Sequence, residues 1–282
     1  LQPSDFVKVP ENLTVRLKIN KGMTYELQTL TGFDESALTD DEQGYGTLTI
    51  PEYVQAVAFE IDNQEESPAT YLPYLVGTME IPASVVYIKP DSISSVIDAY
   101  CVAEDSEYYA STEDGILTSK DGKEYLAIPE NNWDVTVPEG VTSVRLPESY
   151  SGTVTLEAQS EDRLPSVSFE KMWCGSVIVQ PGLLNAFVTK YGGQLNGTGT
   201  TVSVDDGDAK YEVHDGYLTH QEDGATVLDR VVTDAEIYRL PQGIDRIAAN
   251  AFAGSSVKIL ITDAKISYAK DSFKDSMISY VT

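Results

Sequence analysis

Apolar and polar residues alternate along much of the chain. Leu13-Thr14-Val15-Arg16-Leu17-Lys18-Ile19 is the clearest run, and a period of two predicts a strand with one buried face. Asn20-Lys21-Gly22-Met23 supplies a turn, and Thr24-Tyr25-Glu26-Leu27 resumes in strand style. Thr47-Leu48-Thr49-Ile50 and the stretch Val54 to Ile61 continue the pattern. Thr39 to Gly44 is a charged loop, and Asn63-Gln64-Glu65-Glu66-Ser67-Pro68 is a second that suits a junction. Long amphipathic helical windows are missing from the pattern, so the chain is expected to be mainly β.

The alternation is organised into repeats. An apolar–Pro–x–x–apolar–x–x–apolar phrase begins at Ile50-Pro51 and again at Ile81-Pro82, Val137-Pro138 and Leu240-Pro241. Proline ends the preceding strand because it has no N–H for a ladder. A small or polar residue then makes the turn, and apolar residues three apart return the chain to a core. A larger module also recurs. Asp114-Gly115 and Asp215-Gly216 lie 101 residues apart, each before a predicted hairpin that turns at Asp121-Gly122 or Asp223-Gly224. The Pro phrases that follow start at 138 and 241, 103 apart. Near the C-terminus the unit shortens: Ala251-Phe252-Ala253-Gly254-Ser255-Ser256 is echoed by Ser272-Phe273-Lys274-Asp275-Ser276, with the phenylalanines 21 residues apart. That spacing falls within the roughly 20–29 residues of a leucine-rich repeat, in which each coil buries its edge only against its neighbours.

These residues resemble a known family. Leu240-Pro241-Gln242-Gly243-Ile244-Asp245-Arg246-Ile247-Ala248-Ala249-Asn250-Ala251-Phe252 is similar to the signature of BspA-like leucine-rich repeats of bacterial surface and secreted proteins. Ala99 to Tyr109, continuing through Ser111-Thr112-Glu113-Asp114-Gly115 and Lys120-Asp121-Gly122-Lys123 to Ile128-Pro129, is similar to the hairpin insertion that such proteins carry between repeats. The resemblance covers about residues 79–145 and 210–282. Residues 150–210, with Gly192-Gly193 and Asn196-Gly197-Thr198-Gly199, depart from it, and the last repeat lacks the Pro that would open another coil. The family implies an envelope location and roles in adhesion or host and matrix contact, with no shared catalytic residues to carry over.

Charge narrows the partners. Nineteen Lys and Arg against 45 Asp and Glu leave a net charge of -26, which repels nucleic acid and anionic headgroups alike. No run reaches the roughly 18 apolar residues that span a bilayer. The chain opens at Leu1-Gln2-Pro3-Ser4-Asp5 without an initiator Met, as it would after removal of a leading segment such as an export signal.

Candidate chemistry is sparse. Cys101 and Cys174 form no CxxC pair and are expected to be two small buried hydrophobes, with a disulfide left open. Asp205-Asp206-Gly207-Asp208 looks like a calcium loop, but the sixth position from Asp206 is Tyr211 where an EF-hand needs Gly, so an acidic turn is expected. His214 and His220 flank the second hairpin without a G-x-S-x-G elbow and are expected on the surface. Carboxylates are too numerous for any pair to stand out as glycosidase groups. Tyr108-Tyr109, with Tyr71 and Tyr74, could stack on sugars, although packing in core or edge is the default for strand tyrosines. Asn12-Leu13-Thr14 and Asn196-Gly197-Thr198 are glycosylation-type triplets.

The expected architecture is mainly β: a sandwich-like N-terminal β domain over 1–78, then an irregular leucine-rich-repeat solenoid with β-hairpin insertions over 79–282, in modules of about 79–150 and 170–282. The expected function is recognition of an extracellular protein or glycan through a repeat-built strand surface, without catalysis. No catalytic, cofactor-binding or metal-binding residues are assigned, no cofactor or nucleic acid is expected, and a membrane would be met only through a removed anchor. The binding residues and oligomeric state stay open. The alternatives are a carbohydrate-processing accessory protein or glycan-active enzyme, and a structural envelope spacer.

Overall fold

The structure is a computed structural model, and it describes residues 13–16, 29–40, 45–59, 76–89, 93, 96–195, 197–205, 210–262 and 266–282. The chain divides into two compact units, Leu1–Trp133 with Val141–Pro147, and Asp134–Gly140 with Glu148–Thr282. Both are mainly β, and both are built as stacked solenoid coils.

In the first unit, β1 (Leu13–Arg16), β2 (Thr29–Phe33), β3 (Leu38–Asp40), β4 (Gly46–Thr49) and β5 (Ala56–Val57) are followed by β6 (Val76–Ile81), β7 (Tyr87–Ile88) and β8 (Val96–Val102). Two sheets form, ordered β1-β2-β5-β7 and β3-β4-β6-β8. The Pro phrase is the step between them. After β4 the chain buries Ile50, turns at Pro51 with the Val54 N–H donating to the Pro51 carbonyl, and enters β5 in the other sheet. After β6 the same sequence of events at Ile81, Pro82 and Val85 leads into β7. Successive coils then pair in parallel, β4 with β6 and β5 with β7. Leu30, Leu48, Val57, Met79, Ile81 and Val96 fill the space between the two sheets. Residue 78, where the first domain was expected to end, lies inside β6, whose ladder with β4 and β8 continues on both sides.

The hairpin insertion follows as β9 (Tyr109–Ser111), β10 (Leu117–Ser119) and β11 (Glu124–Ala127), antiparallel to one another. At its predicted turn Gly122 has a positive φ of 70° while Asp121 does not, in a four-residue loop between Ser119 and Glu124. The third Pro phrase provides β12 (Asp134–Val137) and β13 (Ser143–Val144), the latter parallel to β11.

In the second unit β12, β14 (Thr153–Leu156), β16 (Ser176–Val179) and β17 (Thr201–Val204) align in parallel without slippage, with the short β15 (Ser166–Val167) between β14 and β16 in sequence. Their register stacks Val135, Val154, Val177 and Val202 as a buried row and leaves Thr153, Ser176 and Thr201 on the other face. Between β16 and β17 lies α1 (Leu184–Leu195), a 12-residue helix where no long helix was expected. Its inner face carries Phe187, Val188, Tyr191 and Leu195, and Phe187 and Tyr191 pack edge-on against Phe169 at 5.5 and 4.9 Å. The Gly192-Gly193 pair hides the helix in a propensity reading, yet Gly192 is what lets it dock: a Cβ there would sit 2.9 Å from the His214 carbonyl oxygen.

The second hairpin comprises β18 (Lys210–His214), β19 (Tyr217–Glu222) and β20 (Ala225–Val231), and here both turn residues have positive φ, Asp223 at 51° and Gly224 at 78°. The final coils run β21 (Ile237–Arg239), β22 (Arg246–Ile247), β23 (Ile259–Ile261), β24 (Ser267–Tyr268) and β25 (Tyr280–Val281). β21, β23 and β25 form one parallel ladder while β20, β22 and β24 form another. The 21-residue echo is structural: Phe252 stacks on Phe273 at 6.0 Å, and left-handed residues recur at Asn250 and Asp271 and at Gly254 and Asp275. The Asn250 N–H donates to the Asp271 carbonyl, and the Gly254 N–H to that of Asp275, so equivalent corners bond coil to coil.

Candidate binding cleft

The hairpin insertion interrupts one ladder of the first unit, and the interruption creates a cleft. At β7 and the residue after it, the N–H groups of Tyr87 and Lys89 donate back to the Gln55 and Val57 carbonyls of the previous coil. The Ile88 N–H has the opposite direction, where a further coil would accept it. The Tyr109 hydroxyl takes that place, accepting at 3.0 Å. β7 is thus the edge of its sheet among the described residues, sealed by a side chain of the hairpin.

Beside this seal lies a cleft of about 280 Å³. Strand parity decides what lines it. Leu117 and Ser119 share one face of β10, and Glu124 and Leu126 the matching face of β11. Tyr109 sits directly across from Ser119, with Tyr87 and Tyr108 at the margin. Leu117 and Ile93 are buried, and the buried Tyr100 hydroxyl donates to the Ile93 carbonyl, which fixes Ile93 from behind. Tyr87 and Tyr108 remain 48% and 50% exposed, large rings held at the rim and not folded into the core.

The polar groups are few. The Ser119 hydroxyl is committed to the turn, donating to Asp121 at 2.8 Å and accepting from the Glu124 N–H at 3.0 Å. Burial pushes the Tyr109 phenol up, against the opposing pull of the Ile88 hydrogen bond, so it keeps its proton at neutral pH. That proton has no acceptor among the described residues, which leaves it for a ligand. Glu124 is the only carboxylate among the described lining residues, and no lysine or arginine joins it.

Other expected sites resolve differently. Both thiols were expected to be buried, and both are exposed and free. On β8 the period of two buries Tyr100 and turns Cys101 outward, while Cys174 sits in a bend with φ 53°. The histidines, expected on the surface, are engaged in the second hairpin. His214 stacks on Tyr217 at 4.3 Å and bonds to the Thr219 hydroxyl at 2.9 Å, and burial holds its imidazole below the usual 6.5. His220 Nδ1 meets the Asp229 carboxylate at 2.6 Å, tying β19 to β20, and burial raises that carboxyl despite the histidine. Asp205 is exposed and accepts from the Gln180 amide at 3.2 Å, while Asp206, Gly207 and Asp208 lie outside the described residues, as do Tyr71, Tyr74, Asn12 and Asn196. No three His, Cys, Asp or Glu converge as metal ligands among the described residues. No helix among them is long and apolar enough to cross a membrane.

No family model matches the chain, and no curated protein is similar to it. Three solved structures are. A leucine rich cell surface protein from Faecalibacterium prausnitzii A2-165 shares 14% identity, with 99% of this chain and 77% of that one covered at a TM-score of 0.29. A leucine-rich repeat protein from Eubacterium ventriosum ATCC 27560 shares 10%, covering 84% and 54% at 0.33. The pneumococcal vaccine antigen PcpA shares 12%, covering 93% and 85% at 0.25. The repeat architecture of the chain stands on its own ladders and registers.

Proposed function

We propose that this chain is an exported binding protein of a bacterial envelope, that it catalyses no reaction, and that it holds an extracellular ligand at the tyrosine-rimmed cleft of its first unit. The observation that supports this is the placement of two half-exposed tyrosines over a buried apolar floor, at a point where the solenoid ladder is deliberately closed by Tyr109. Concave apolar sites with a few polar groups are the usual form of a ligand site. Binding also fits better than glycoside hydrolysis, which ordinarily needs two carboxyl groups flanking the bond, about 5–9.5 Å apart. Glu124 stands alone among the described lining residues. The strand surface of the repeats then serves to present the cleft, and the strong negative charge keeps the protein soluble and away from polyanions.

The test is binding of the purified chain to arrays of glycans and matrix proteins, repeated with Tyr87→Ala and Tyr108→Ala, with reaction products assayed in parallel. A hit that weakens about tenfold in either variant, as truncation of an aromatic anchor should, supports the cleft. Binding indifferent to both variants moves the site elsewhere on the molecule, and turnover of a bound glycan would sink the non-enzymatic reading.

A further inference from the structure

We infer that the ligand of the cleft is an uncharged saccharide, held one ring deep, with Tyr87 and Tyr108 as stacking platforms, the Tyr109 hydroxyl as donor and the Glu124 carboxylate as acceptor. This rests on the cleft being the binding site. Four observations lead to it.

The first is size. About 280 Å³ lies just below the roughly 300–1,000 Å³ of pockets that enclose a drug-sized molecule, which suits one small ring or side chain but no folded epitope. The second is the sealed backbone. An extended peptide binds a sheet by adding a strand to a free edge. β10 is paired on both sides, by β9 and β11, and β11 is paired on its other side by β13. At β7, the edge strand, the outward N–H of Ile88 is already bonded to Tyr109. β9, the end strand of that sheet, has its Tyr109 N–H bonded to the Ser106 hydroxyl, so the edge N–H groups of Ile88 and Tyr109 are both taken and the cleft presents chiefly side chains to a ligand.

The third observation is the chemistry of the rim. A pyranose ring has an apolar C–H face and a hydroxyl periphery. It pairs an aromatic face with a donor and an acceptor, the arrangement that the rings of Tyr87 and Tyr108, the free proton of Tyr109 and the carboxylate of Glu124 provide. An aliphatic peptide side chain would fill the floor and leave the Tyr109 proton and the carboxylate unmatched. The fourth is charge. Glu124 is at the rim with no cation among the described lining residues, in a chain of net charge -26, so sulfated and sialylated sugars are repelled.

Saturation-transfer NMR on the intact chain tests this, with neutral di- and trisaccharides of glucose, galactose and N-acetylglucosamine, their sulfated or sialylated counterparts, and a Leu- and Phe-containing tetrapeptide as probes. The expected result is saturable binding of at least one neutral saccharide and of no acidic one. Tyr108→Ala should lower its affinity about tenfold while Tyr108→Phe, which keeps the ring, changes it little. Glu124→Gln, at an exposed position, should weaken it without altering the fold. Failure of every neutral probe overturns the saccharide assignment, as does tighter binding of the acidic sugars. If the tetrapeptide binds instead and Tyr108→Ala abolishes it, the cleft reading survives and the ligand class does not. If a saccharide binds equally to wild type and to Tyr87→Ala and Tyr108→Ala, both readings fall.

Discussion

Two adjacent glycines show how much a single Cβ can decide. Gly192 and Gly193 occupy successive positions of α1, but a Cβ at Gly192 would press on the His214 backbone at 2.9 Å, whereas at Gly193 the nearest atom is 3.8 Å away. Gly192→Ala is expected to destabilise the chain by about 1–3 kcal/mol, since backbone on both sides of the contact has little room to yield. Gly193→Ala should be neutral or stabilising by up to about 1 kcal/mol through helix propensity. Thermal unfolding of the two variants checks the contrast. His214 gives a second expectation at this scale. Burial holds its pKa below 6.5, outweighing the opposite pull of Glu212, so below 6.5 the unfolded chain binds more protons at this site than the folded one. Stability therefore falls as pH drops through 6.5. Asp229, raised by burial, has the opposite sign, because the folded chain binds its proton more readily above the ordinary 3.8. A smaller fall in Tm for His214→Gln than for wild type, between about pH 7.5 and about 5.5, would isolate the histidine.

At the scale of elements, the unit of stability is the contact between equivalent coils. Phe252 is fully buried beside Phe273, which is itself only partly buried. Phe252→Ala is expected to cost about 3–5 kcal/mol, and Phe273→Ala clearly less, because its ring loses less contact. Because a solenoid coil leans only on its neighbours, the loss should concentrate in the second unit. Hydrogen exchange would show lost protection over residues 237–261 with little change at the cleft strands β10 and β11. Equal loss of protection in both units would contradict that nearest-neighbour picture. The same logic explains the cleft. A coil left without a successor must satisfy its outward N–H groups some other way, and at β7 a tyrosine from the hairpin does so.

For the whole molecule, the dominant quantity is charge. With 45 acidic residues against 19 basic ones, self-repulsion opposes the compact state, and salt should relieve it. Tm is expected to rise between about 20 mM and about 300 mM NaCl, as the screening length shrinks. A flat or falling Tm would mean that ion pairs such as Lys171 with Glu148 at 2.7 Å outweigh the net repulsion. Screening should leave uncharged-saccharide binding nearly unchanged, since the proposed contacts are stacking and hydrogen bonds.

Much of this was legible in the residues themselves. Period-two alternation foretold Thr47–Thr49, the Pro phrase foretold the turns at Pro51 and Pro82, and the 21-residue echo foretold the stacked phenylalanines, because each rests on local geometry or on a repeat that must pack against its own copy. The helix at Leu184–Leu195 was also written there, in the spacing of Leu183, Phe187, Val188, Tyr191 and Leu195, but the glycine pair masked it because its reason is a contact with residue 214. Composition likewise could say that cysteines, histidines and tyrosines exist, not which side of a sheet they face. That the thiols point outward, that His220 finds Asp229 across a hairpin, and that Tyr109 seals a strand 21 residues earlier to leave a cleft beside it were settled only by the fold. These are contacts between distant segments, fixed by register, and no local pattern encodes a register by itself.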